Sequence, residues 1–243
     1  RGIFVINELP DLQARIQVAL FNILQEGDIQ IRGFRIRLPL DIQFVFTANP
    51  EDYTNRGSIV TPLKDRIESQ ILTHYPKDIA TSKIITHQEA NINSTQNNSV
   101  QLNEIAKDLI EQIAFEARKS EYVDQKSGVS ARMTITALEN LVSGAERRSL
   151  KSNEAKTFVR VSDFWSVIPS ITGKIELVYE GEQEGPYIVA VNLIGKAIRS
   201  QFTNYFPAPE KAKKPIGKKA ETQQDPKRKN IYQEIIDWFN EGN

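Results

Sequence analysis

The stretch that most restricts the fold is the first: Arg1-Gly2-Ile3-Phe4-Val5-Ile6-Asn7-Glu8, an apolar run of strand formers ending in an amide and a carboxylate. Pro10 blocks continuation, and helical spacing begins after it. A run this apolar suits a strand buried on both faces, as in a parallel sheet covered by helices. Ligands of such sheets bind beyond the carboxyl ends of the strands, where Asn7 and Glu8 fall. Taken alone, these residues are better served by a core strand with a polar stop. The order of the motifs downstream of Glu8 changes that.

Leu12, Ile16, Ala19, Leu20, Ile23 and Leu24 repeat at helical spacing up to a Gly27-Asp28 turn. Ile29, Ile31, Phe34, Ile36 and Leu38 then alternate with polar residues about Gly33 and predict a β-hairpin with Arg32, Arg35 and Arg37 exposed. A second apolar run, 42–48, predicts another buried strand and ends in Asn49-Pro50-Glu51. If the two apolar strands are parallel, Glu8 and Asn49 reach the same sheet edge. A polar loop over 51–58 precedes a short helix over 59–67 carrying Lys64-Asp65-Arg66. Residues 69–75 predict a third strand, closed by Pro76, and 77–90 a helix. The small polar run 91–99 cannot bury a core, and a domain boundary is expected there.

Beyond that boundary, 102–120, 132–150 and 186–206 carry apolar residues at helical spacing, with Pro186 suited to a first helical turn. Pro169 and Gly173 interrupt 162–179. A stretch rich in Lys, Pro and Ala over 207–229 leads to a last amphipathic helix with Ile231, Ile235, Ile236, Trp238 and Phe239. The basic stretch lacks interleaved aromatics, so a solvated linker is expected rather than a nucleic-acid contact. His74 and His87 lack the spacing of a zinc site.

The 243 residues are 40% apolar and 26% charged, with zero formal net charge. Bulk charge therefore points to neither nucleic acid nor acidic lipid. Zero cysteines exclude disulfides and thiol nucleophiles and fit a reducing, cytoplasmic setting. No apolar run approaches the roughly 20 residues of a membrane helix. The chain starts at Arg1 inside a strand pattern and its one methionine is Met133, so it is expected to be the C-terminal part of a longer protein.

The order is a strand ending in Asn-Glu, helix, hairpin, strand ending in Asn, short helix with Asp-Arg, strand and helical domain. It resembles the AAA-plus ATPases, within the branch of the magnesium-chelatase ATPase subunit and MoxR-like ATPases. The resemblance runs from Arg1 to about Leu150 and is most specific over 25–51, with Glu-Gly, Arg-x-Gly, a proline before the strand and Asn-Pro-Glu after it. It implies an α/β fold: the C-terminal part of a P-loop AAA-plus parallel-sheet core with a β-hairpin insertion, then a helical lid. The divisions expected are a partial ATPase core over 1–90, a linker over 91–100, the lid over 101–206, a basic linker over 207–229 and a terminal helix over 230–243.

On that resemblance, residues 2–8 form the Walker B strand. Glu8 would position and polarise the attacking water, and Asn7 takes the Mg2+-ligand position. The family usually has Asp where Asn7 stands; an amide oxygen can contact Mg2+ but adds no charge. Asn49 matches sensor 1, although an Asn before Pro50 also suits a plain turn. Arg66 matches the arginine finger reaching a neighbouring subunit's γ-phosphate, with Arg56 as a nearby rival. Arg132 matches sensor 2, an arginine of the lid that meets bound ATP. No G-x-x-x-x-G-K-S/T loop occurs in these residues, so the resemblance places it upstream of Arg1.

The implied function is an ATP-hydrolysing ring motor, a homo-oligomer and commonly a hexamer, whose hairpin acts on a partner protein, often one with a von Willebrand factor A domain. The motor would couple hydrolysis to remodelling or metal insertion. One alternative is a nucleotide-regulated assembly module with weak turnover. Another is a DNA-linked relative, a transcription activator or helicase; the activators' Gly-Ala-Phe-Thr-Gly-Ala loop is absent.

Overall fold

The computed structural model describes residues 1–30, 37–49, 58–125, 127–207 and 232–240. They are mixed α/β and form two compact units, Arg1–Tyr75 and Pro76–Asn243. The division falls at Tyr75/Pro76 rather than over 91–100. The polar run is not a bare linker: α4 (Ser94–Ser99) is closed by a capping box in which Asn93 accepts from the Gln96 amide, and Gln96 reaches Glu146 at 2.9 Å. Local side-chain capping folds a segment that buries no apolar residue.

In the first unit, β1 (Gly2–Ile6) pairs in parallel with β4 (Ile42–Phe46), in the register Gly2↔Ile42 to Ile6↔Phe46. Between them run a short 3-10 turn (Leu9–Asp11), α1 (Ala14–Glu26), β2 (Asp28–Gln30) and β3 (Arg37–Pro39). The helix ends at Gly27, whose φ of +64° is a left-handed conformation that glycine adopts without a Cβ penalty. From there β2 and β3 pair antiparallel, Asp28↔Pro39 to Gln30↔Arg37, and Arg37 meets Asp28 at 3.5 Å. This is the stem of the expected hairpin; its tip, with Arg32, Gly33 and Arg35, lies outside the described residues, as do the loop from Pro50 and Arg56 within it.

Two expectations fail in this unit. β1 is not buried: Ile3, Phe4 and Val5 are 74%, 51% and 57% exposed. The sheet among the described residues has two strands, and side chains of so narrow a sheet keep contact with water. Residues 69–75 pair with no strand, and Ile71 and Leu72 are largely exposed. Strand propensity without a ladder partner leaves the segment merely extended. The unit is fastened instead by Leu9 and Leu63, both fully buried, and by Gln17, 1% exposed. Its amide donates to the Leu12 and Ser58 carbonyls and accepts from the Val60 amide, tying α1 to the entry of α2 (Thr61–Lys64).

The second unit holds a single large apolar core. Along α5 (Glu104–Ala117), Ala106, Leu109, Ile110, Ile113, Ala114 and Ala117 recur at three- and four-residue spacing and are all buried. They pack with Met133, Leu138 and Leu141 of α6 (Arg132–Lys151) and Val189, Leu193 and Ala197 of α9 (Pro186–Tyr205). α3 (Ile79–Glu89) joins through polar contacts: Lys83 pairs with Asp108 at 2.6 Å, and the Ser82 hydroxyl donates to Glu111 at 2.5 Å. Tyr205 donates to Asp108 in turn, which pushes its own phenol up to about 12. The interrupted stretch becomes a 3-10 helix (Val161–Val167) and α7 (Ile168–Thr172); α8 (Tyr179–Glu184) precedes α9, and α10 (Gln233–Asn240) ends the described chain.

Arg148 holds the far end of this unit. Its guanidinium meets Asp163 through Nε at 2.9 Å and Nη2 at 3.0 Å, and also reaches Thr157 and the Phe158 carbonyl. It thereby joins α6 to β6 (Thr157–Phe158), which pairs in parallel with β5 (Val100–Gln101), and to the 3-10 helix. Burial alone would raise the Asp163 carboxyl, but hydrogen bonds from Arg148 and the Arg160 amide outweigh it and hold it below the usual range.

Arg148→Ala leaves Asp163 buried without its partner. It should cost about 2–3 kcal/mol in urea unfolding, somewhat under the value for a fully buried pair, because Arg148 keeps part of its surface in water. Glu111 yields a pH prediction. Burial pushes its carboxyl up, against the lowering by the Ser82 and Thr86 hydroxyls. Its stabilising contribution is therefore complete below the ordinary carboxylate range and lost as pH rises through the raised value. Glu111→Gln keeps an acceptor for Ser82, so its melting temperature relative to wild type should rise between pH 4 and pH 7.5.

Candidate functional site

The parallel register of β1 and β4 sets the site. Because Ile6 lies beside Phe46, the next residues on each strand, Asn7 and Thr47, leave the sheet together, followed by Glu8 and Ala48 and then Asn49. The Thr47 amide donates to the Ile6 carbonyl at 3.1 Å and the Leu9 amide donates back to the Thr47 carbonyl at 2.9 Å. The Thr47 hydroxyl sits between the functional candidates. It donates to Asn7 Oδ1 and accepts the Glu8 amide at 3.0 Å. Sequence reasoning missed this residue; the available signal was a β-branched hydroxyl two positions before the Asn that ends the second strand.

Glu8 is exposed, and its backbone is left-handed, φ 54° and ψ 56°. That conformation disfavours a residue with a Cβ and is held here by two neighbours, the Thr47 hydroxyl on its amide and the buried Leu9-Pro10 turn after it. The effect is to turn the main chain at Glu8 just past the end of β1. Asn7 and Asn49 are also exposed. All three lie just past the paired ends of β1 and β4, at one edge of the sheet.

Arg66 follows α2 and is half-buried. Its guanidinium donates to Gln25 Oε1 at 2.9 Å and to the Pro62 carbonyl at 2.6 Å, and lies 5.1 Å from the centre of the Phe21 ring. Gln25 and Phe21 on α1 and the Pro62 carbonyl of α2, rather than the neighbouring Asp65, position it. Beside it an open groove of about 510 Å³ follows β4, walled by Ile42, Phe44, Phe46 and Ile67. Arg132 belongs to the second unit, as the exposed first residue of α6. No polar contact to its guanidinium is present among the described residues. A cation at a helix N-terminus opposes the positive end of the macrodipole, so an anionic ligand would be its natural partner.

The donor set at the sheet edge is all oxygen: the Asn7 carbonyl, the Glu8 carboxylate and the Asn49 carbonyl. That suits a hard cation such as Mg2+, which takes one or two carboxylates and leaves its other positions to water and phosphate oxygens. Only one of the three carries charge, so these residues would hold the ion weakly unless phosphates complete its shell.

No family model and no curated protein matches the chain. Among solved structures it is similar to a protein from Cytophaga hutchinsonii named as a "putative ATPase", with 21% identity and a TM-score of 0.32. The match covers 81% of this chain and 64% of that one, so this chain spans less than two thirds of its length. No helix among the described residues is long and apolar enough to cross a membrane.

The left-handed backbone at Glu8 leads to a separable outcome. Glu8→Gly removes the Cβ from a left-handed position and loses no side-chain hydrogen bond to the described residues. It should stabilise the first unit by about 1 kcal/mol in denaturant unfolding while deleting the carboxylate. A destabilised variant would show that the carboxylate, not the turn, holds this segment.

Proposed function

We propose that this chain carries one part of a Mg2+–ATP hydrolysis site and works as the motor subunit of a homo-oligomeric ring of the magnesium-chelatase or MoxR-like kind. The observation that supports this most is the parallel pairing of β1 and β4, which brings Asn7, Glu8 and Asn49 to the carboxyl edge of one sheet. Doubly wound sheets receive ligands at that edge.

In this reading Glu8 accepts a hydrogen bond from the attacking water and draws its proton as the oxygen approaches the γ-phosphorus. Asn49 fixes the same water from the second strand. Asn7 contacts the Mg2+ shell, and bound Mg2+ supplies the charge that offsets developing negative charge on the phosphate oxygens. Thr47 is a positioning residue, holding Asn7 by its amide oxygen and Glu8 by its main chain. Arg66 serves a neighbouring subunit's nucleotide, and Arg132 reads the nucleotide state in the helical unit. The phosphate-binding loop comes from outside these 243 residues, and the hairpin from β2 to β3 delivers the motion to a partner protein, with a von Willebrand factor A domain as one expected type.

A second reading is favoured by Asn7. With a neutral residue at the metal position, nucleotide would bind and order the ring while turnover stays slow. One comparison separates the two. In a protein that joins these residues to a phosphate-binding loop, Glu8→Gln should lower ATP turnover on the order of 100-fold and leave ATP affinity nearly unchanged. Equal, slow turnover in both proteins, with nucleotide still driving assembly, would replace the motor by the assembly module.

A further inference from the structure

A second surface belongs wholly to the helical unit and shares no residue with the sheet edge. An open cleft of about 370 Å³ lies between the last turns of α6 and the 3-10 helix, with Arg147, Lys151, Ser162 and Trp165 among its walls. Its floor is the close approach of Gly144 to Ser166, where a Cβ on residue 144 would come within 2.5 Å of the serine hydroxyl. The cations in this region divide into two groups. Arg148 is committed to Asp163, whereas Arg147 and Lys151, one helical turn apart, are exposed and make no ion pair among the described residues. The negative end of the α6 macrodipole accounts for a basic residue there, but not for a large indole standing beside it. Trp165 is 60% exposed, and Leu150, Phe158 and Val161 on the elements that Arg148 joins are exposed as well.

The same chain carries a segment of complementary chemistry. α10 has Glu234 and Asp237 and no basic residue, and its Ile235, Ile236 and Trp238 are exposed. It is anchored at its start, where the Tyr232 ring packs edge-on against Phe202 and its hydroxyl donates to the Pro207 carbonyl. The anchor holds the helix at the end of α9 with that apolar side facing water.

We propose that α10 of one copy docks in the Arg147–Lys151–Trp165 cleft of a second copy. Ile235 and Trp238, one turn apart, lie against the Trp165 indole, and Asp237 meets Arg147 and Lys151. Both halves are an acidic or basic rim around exposed apolar area, which matches the usual make-up of a specific interface. Each copy offers one helix and one cleft, so two copies either exchange helices reciprocally in a two-fold pair or join head-to-tail around a ring.

The chain has two tryptophans, which makes the test direct. In full-length Trp238→Phe protein, which keeps an aromatic ring at the contact beside Ile235, Trp165 is the sole indole. Its emission should move to shorter wavelength as concentration rises from nanomolar to tens of micromolar, in step with an increase in sedimentation coefficient. Arg147→Glu/Lys151→Glu should weaken that association at least tenfold, and mixing this variant with Asp237→Lys copies should restore it. A Trp165 emission independent of concentration, whether buried or exposed, overturns the proposal. So does association that the charge reversal leaves unchanged, or that the mixed variants fail to restore.

Discussion

The hydroxyl of Thr47 is the contact on which the sheet-edge geometry depends. Strand pairing alone brings β1 and β4 to the same end of the sheet, but it does not determine how the chain leaves. By donating to Asn7 Oδ1 and accepting the Glu8 amide, one side chain fixes a rotamer on one residue and a main-chain conformation on the next. The left-handed turn at Glu8 then costs backbone energy that the buried Leu9-Pro10 pair and this hydrogen bond offset. Preorganisation of this sort suits a group that must meet a water molecule in one orientation.

The two units are built by different means. The helical unit has an ordinary core of Leu, Ile, Val, Met and Ala, with Phe164 and Val167 of the 3-10 helix in it, and a charged hub at Arg148 adds polar contacts among three elements. The first unit has few buried apolar side chains among its described residues, and a buried glutamine, Gln17, joins its elements through main-chain carbonyls and an amide. Its most apolar residues, Ile3 to Val5, lie on an exposed strand.

Helices and their ends were largely legible in the sequence, since Leu109, Ile110, Ile113 and Ala117 or Met133, Ala137 and Leu141 write their shared face directly at helical spacing. The parallel pairing was legible because two apolar runs ended alike. Burial was less so: residues 2–6 and 69–75 carry strand composition, yet composition cannot say whether a ladder partner or a covering helix is present. Thr47, Gln17 and the left-handed Glu8 were illegible for a different reason. Each acts through a hydrogen bond spanning some forty positions or through a main-chain angle, and neither leaves a periodic trace. The division at Tyr75/Pro76 was hidden by the polar run after it, whose capping box folds it onto the helical unit.

In the proposed site Asn7, Glu8 and Asn49 surround one bound metal–nucleotide. The most direct measurement replaces Mg2+ with paramagnetic Mn2+ in the presence of ATP, in a protein carrying these residues with a phosphate-binding loop, and follows the asparagine side-chain amide signals by NMR. With Mn2+–ATP bound, the Asn7 and Asn49 amides should broaden strongly, and with diamagnetic Mg2+–ATP in its place they should stay sharp. Unbroadened Asn7 and Asn49 signals at saturating Mn2+–ATP would contradict that arrangement.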